Sequence, residues 1–126
     1  IKPYIDDKNI KYLGVLNEEE KNKYIGKAKA MFLPVRWEEA FGMVAIEALA
    51  CGTPVISYPK GGLKELVINN KTGFLVKENS VLDVKKAIEN LYKIKPNYCR
   101  RFVESKFTIE TMVNSYEDVY YKALKT

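Results

Sequence analysis

At 126 residues and 47% hydrophobic content, the chain can bury one core and no more. It contains no histidine, which excludes His-based triads and His metal sites and leaves carboxylates, hydroxyls and backbone groups as the available chemistry. The net charge of +5 suits an anionic ligand or an anionic membrane surface, although a general basic excess is more often a solvated face.

Read in chain order, Lys11 to Leu16 is expected as a strand, and Asn17 followed by Glu18, Glu19 and Glu20 opens a helix with an N-cap and first-turn acids. That helix runs to about Lys29. Ala30–Pro34 is a short apolar run of the kind that forms a buried parallel strand, and Pro54–Ser57 is another. Between them lie the loop Trp37–Gly42 and an apolar helix, Met43 to Cys51, with a tight exit at Gly52-Thr53. Gly61-Gly62 marks a turn with close backbone approach, Leu63–Ile68 a short helix ended by Asn69-Asn70, and Gly73–Val76 the last strand. Ser80 then caps a helix with Val81, Val84, Ala87, Ile88 and Leu91 on one face, Pro96 opens another, and Thr108 to Leu124 forms the last. Tyr116, Tyr120 and Tyr121 stand at helical spacing and are expected to pack that last helix on the body of the domain. Strands alternating with helices imply an α/β fold with a Rossmann-like parallel sheet flanked by helices. No repeat, linker or low-complexity segment divides it, so residues 1–126 read as one domain on which the helices of 80–126 pack.

Glu47 is the informative charge. It stands alone in Met43-Val44-Ala45-Ile46-Glu47-Ala48-Leu49-Ala50-Cys51, a helix apolar enough to be buried against a sheet. A buried carboxylate without a partner is costly, so Glu47 requires one. The first free amides of that helix lie at Gly42 to Val44, where unpaired N–H groups and the helix dipole favour an anion. Helical side chains lean toward the N-terminus, so Glu47 can reach groups just beyond such an anion. A phosphate followed by sugar hydroxyls matches that arrangement, whereas a surface glutamate on an amphipathic helix is the plainer alternative. Strand, loop with Glu39, helix and strand make half of a nucleotide-binding unit, in which ligands sit beyond the carboxyl ends of the strands.

The string Glu39-Ala40-Phe41-Gly42-Met43-Val44-Ala45-Ile46-Glu47-Ala48-Leu49-Ala50-Cys51-Gly52-Thr53-Pro54-Val55-Ile56 resembles the donor-binding domain of the retaining GT-B glycosyltransferases of family 4. So do Gly61-Gly62-Leu63-Lys64-Glu65 and Thr72-Gly73-Phe74-Leu75-Val76, and the likeness extends from about Asn9 to Val76. The resemblance implies that Glu39, which has the family spacing to Glu47 where Glu38 does not, contacts the transferred sugar. It implies that Glu47 binds the ribose hydroxyls, that backbone amides from Phe41 through Gly42 and Met43 to Val44 meet the sugar and diphosphate, and that Tyr12–Leu16, with Val15 and Leu16, reads the base. The implied activity is transfer of a sugar from a nucleotide-diphosphate donor to an acceptor sugar, lipid or other small molecule with retention, within the EC 2.4 class, with neither cofactor nor metal. A non-catalytic nucleotide-sugar-binding module or inactive fragment is the alternative. A nicotinamide oxidoreductase ranks far behind, because no Gly-x-Gly-x-x-Gly follows a strand.

The family also uses a glycine-arginine element with a downstream lysine, two earlier strands and an N-terminal acceptor domain, none of which is found in this sequence. The expectation is therefore a partial GT-B donor-binding domain, completed by a missing N-terminal domain or another chain. In the loop, Trp37 either covers the sugar pocket or anchors the loop, Arg36 reaches a phosphate or holds Glu38, and Lys60 is solvated. No run spans a bilayer, nothing reads as a signal peptide, and Cys51 and Cys99 lack framework spacing. A cytoplasmic protein with reduced thiols follows, with peripheral membrane contact as an option and no nucleic-acid partner.

Overall fold

The structure is a computed structural model that describes residues 2–125. Its centre is a parallel sheet of β1 (Met31–Leu33), β2 (Val55–Ser57) and β3 (Gly73–Leu75) in that spatial order. Met31 stands opposite Val55, and Val55 opposite Gly73. The expected α/β fold, a parallel sheet flanked by helices, is the observed one.

Each connection is a helix whose ends are written in the sequence. In α1 (Glu18–Lys27), the Asn17 side chain accepts from the Glu20 amide while the Glu20 carboxylate accepts from the Asn17 amide, a reciprocal cap on two otherwise unpaired donors. Between β1 and β2 runs α2 (Met43–Ala50), and α3 (Leu63–Leu66) lies between β2 and β3. Then follow α4 (Val81–Glu89), capped by Ser80; α5 (Pro96–Lys106), opened by proline at a position that needs no amide; and α6 (Ile109–Leu124), capped by Thr108.

Side chains of β2 alternate between two apolar clusters, as a strand covered on both faces requires. Val55 joins Ala45, Ala48 and Leu49 of α2, Leu63 and Leu66 of α3, Ile25 of α1, and Cys99, Phe102 and Val103 of α5. Ile56 joins Tyr58, Val76 and Ala87 of α4. Central to the first cluster, α2 has Ala45, Ala48 and Leu49 fully buried.

Three expectations are corrected. Lys11–Leu16 is not a strand: a strand needs a neighbour's backbone, β1 has β2 on one side and no strand on its other side among the described residues, and Val15 is 99% exposed. On α4 only Ala87 is buried, while Val81 and Ile88 face solvent, so the apolar face is narrower than its spacing implied. Helices α4 and α5 pack on the body, but α6 buries none of its residues. Tyr116 and Tyr120 pair with each other, ring centroids 6.3 Å apart, and both remain exposed with Tyr121.

Candidate active site

The loops leaving the carboxyl ends of the strands converge. After β1, the loop of residues 34–42 meets the Lys60-Gly61-Gly62 turn that follows β2: the Gly62 amide donates to the Glu39 carbonyl at 2.7 Å, and the Gly61 amide donates to the Glu38 carboxylate. Arg36 reaches across to the segment after β3, donating to Asn79 at 3.0 Å and pairing with Glu78 at 3.6 Å. Lys60 pairs with the same Glu78 at 3.3 Å. Arg36 thus holds Glu78 rather than Glu38, and Lys60 is ion-paired rather than merely solvated.

Gly42 ends the loop and caps α2 with φ +92°, a left-handed conformation that side chains resist. A Cβ there would also lie 3.0 Å from the Leu63 side chain. The amides of Gly42, Met43 and Val44 have no partner among the described residues, and Gly42 has no side chain to cap the first turn. The first helical bonds run from the Ala45 and Ile46 amides to the Gly42 carbonyl, leaving those earlier donors at the positive end of the dipole. Phe41, Met43 and Val44 are exposed.

A pocket of about 350 Å³ is lined by Trp37, Glu39, Phe41, Gly42, Met43 and Val44, with Leu33, Val35 and Leu63 closing its apolar side. Glu39 is half-buried, and its Oε2 accepts from the Trp37 indole at 3.2 Å. Trp37 itself is 67% exposed, so the indole orients the carboxylate from the rim. A larger cavity, about 800 Å³, runs along α5 past Lys95, Tyr98 and Arg101 and includes none of the candidate site residues.

Glu47 lies outside the pocket lining, with its side chain 34% exposed while its neighbours on α2 are buried. The premise that it is buried is therefore corrected to half-burial at the edge of the apolar face. It does have a partner: Lys21 Nζ of α1 lies 3.1 Å from Glu47 Oε2. Lys21 also binds Glu18 at 2.9 Å, and those two carboxylates, Glu18 first, raise its pKa. Val15 and Leu16 immediately precede the cap of α1, the former exposed and the latter half-buried. Lys21 and Glu78 were not singled out from the sequence. Only the Glu18-Lys21 spacing on one helix face hinted at the former.

The family model described as glycosyl transferases group 1 matches residues 4–107. The chain belongs to that family. It is 33% identical, over 92% of its own length, to an uncharacterized 41.2 kDa protein in the cps region of Klebsiella pneumoniae. It is 35% identical over 89% of its length to an uncharacterized glycosyltransferase of Methanocaldococcus jannaschii. It spans 33% of the length of each of these relatives. Among solved structures, sucrose-phosphate synthase from Thermosynechococcus elongatus superposes with a TM-score of 0.74 at 30% identity, covering 92% of this chain and 30% of that one. The half of the α/β unit that carries Glu39 and Glu47 lies within the matched range.

Proposed function

We propose that this group 1 glycosyl transferase chain supplies the donor site of a retaining, family 4 enzyme that moves a hexosyl group from a nucleotide-diphosphate sugar to an acceptor sugar, lipid or other small molecule. The observation that carries the proposal is the pocket in which the unpaired amides of Gly42, Met43 and Val44 stand beside the half-buried Glu39 carboxylate. Departure of the nucleoside diphosphate leaves negative charge on the leaving group and positive charge on the sugar, and preorganised dipoles lower the barrier where that charge develops. Amides at the start of α2 meet the diphosphate as free donors at the positive end of the helix dipole.

Glu39 binds the transferred sugar and orients it, held by the Trp37 indole, and Glu47 accepts hydrogen bonds from the ribose hydroxyls. The exposed segment ending in Val15 and Leu16 meets the base through its backbone. No resident cofactor enters the proposed reaction, in which the nucleotide sugar is a substrate. Titration of nucleoside diphosphates against the chain, with donor hydrolysis measured in the complete enzyme, tests it: saturable binding by the chain and release of free sugar by the complete enzyme are expected, and absence of both overturns it.

A further inference from the structure

Glu47 offers two carboxylate oxygens, and the only cation paired with either among the described residues is Lys21, at 3.1 Å from Oε2. An ionised carboxylate accepts at about four lone-pair positions, so one lysine contact leaves room for a hydroxyl pair. Lys21 is itself restrained, since Nζ also binds Glu18 at 2.9 Å and the lysine side chain is only 28% exposed. The chain Glu18–Lys21–Glu47 therefore ties the first turn of α1 to the middle of α2. Helix α1 starts directly after the Tyr12–Leu16 segment and is pinned at that point by the Asn17/Glu20 reciprocal cap. A half-exposed glutamate without such a tie would sample several rotamers and would have to be ordered when a ligand binds.

We infer that Lys21 is a positioning residue: it holds the Glu47 carboxylate in the orientation that receives the donor's ribose hydroxyls. The inference rests on the proposed donor site and adds to it a residue that touches no substrate. Its signature is selectivity for the ribose hydroxyls. Glu18 anchors Lys21 on its own helix, and toward the ligand Lys21 acts through Glu47, so removing its charge weakens ligands that use Glu47 and spares ligands that do not.

The test is calorimetric titration of the native protein and its Lys21→Met and Lys21→Arg variants with uridine, guanosine and adenosine diphosphates and with the 2′,3′-dideoxy form of whichever binds. Lys21→Met keeps the aliphatic stem and removes the charge; it is expected to weaken the ribonucleotide about fivefold, the effect of having to order one long side chain on binding. The dideoxy nucleotide is expected to bind both proteins equally, and Lys21→Arg to restore most of the ribonucleotide affinity. Equal weakening of both nucleotides would mean that Lys21 only supports the fold, and unchanged ribonucleotide affinity would mean that it positions nothing; either overturns the inference. If the native protein binds ribo- and dideoxynucleotides equally, or binds none, the donor-site proposal itself fails and the inference falls with it, an outcome distinct from the first two because it is read before any variant is made.

Discussion

The Gly62 amide donates to the Glu39 carbonyl at 2.7 Å, so the backbone of the candidate sugar-binding residue is fastened to the turn after β2. The approach is closer than a side chain permits: a Cβ on Gly62 would lie 2.7 Å from the Phe41 carbonyl and 3.0 Å from that of Ala40. Both neighbours are backbone atoms and cannot rotate aside. Gly62→Ala is therefore expected to force the two loops apart at a cost of about 1–3 kcal/mol, as overpacking does. Thermal unfolding monitored by circular dichroism should show a lowered midpoint; an unchanged midpoint would mean that the loops separate freely.

Glu38 and Glu39 are adjacent but differ in what they touch. Glu38 is exposed and ties the loop to the Gly61 amide, while Glu39 faces the pocket and is oriented by Trp37. In the complete enzyme, Glu39→Ala is expected to lower kcat/KM by about a hundredfold, the scale of losing one strong contact to developing charge. Glu38→Ala, which loosens a surface tie, should cost less than about tenfold. Equal losses in a donor-turnover assay would mean that the loop acts as one structural unit.

The site was legible where its chemistry is local. Gly42 before an apolar helix announces free amides, and the single acid at position 47 among Ala, Ile and Leu announces a specific partner. That partner is on another helix, and the pairing of Lys21 with Glu47 depends on how α1 and α2 pack, which no periodicity encodes. The same holds for Arg36 and Glu78, brought together only because β1 and β3 flank β2 in a parallel sheet. Elements with local signatures, such as the Asn17 cap, Pro96 and Thr108, were read at their observed positions. The pattern of Lys11–Leu16 suits a strand, but pairing requires a neighbour that the pattern does not contain. In α6 the apolar spacing is genuine, yet spacing alone does not specify what a face meets.

The thiols should differ sharply in reactivity. Cys99 is fully buried, and desolvation pushes its pKa up to about 11, so it is a neutral thiol at ordinary pH. Cys51 is half-exposed. Iodoacetamide on the native protein at pH 8 should modify Cys51 alone, with Cys99 labelled only after denaturation; mass spectrometry of the digested protein reads this directly.

Cys99 also predicts the sign of a pH effect. Its folded pKa, about 11, lies above the ordinary value of 9.0. The folded state therefore holds the proton more tightly, and this contribution is complete below pH 9 and lost as pH rises toward 11. Cys99→Ala should remove that component, so the loss of stability between pH 9 and 11 should be shallower in the variant. Parallel curves would contradict the assignment.

The central claim is that α2 and Glu47 form a nucleotide-sugar donor site, and titration of nucleoside diphosphates against the native protein and Glu47→Gln tests it most directly. The variant keeps the size of the side chain and removes its charge, and hydrogen bonds to charged groups contribute about 1.5–3 kcal/mol, so affinity should fall about tenfold or more. One-to-one binding by the native protein with that loss in the variant is the predicted result. Equal affinity of the two proteins, or no binding of any nucleoside diphosphate by the native protein, would contradict it.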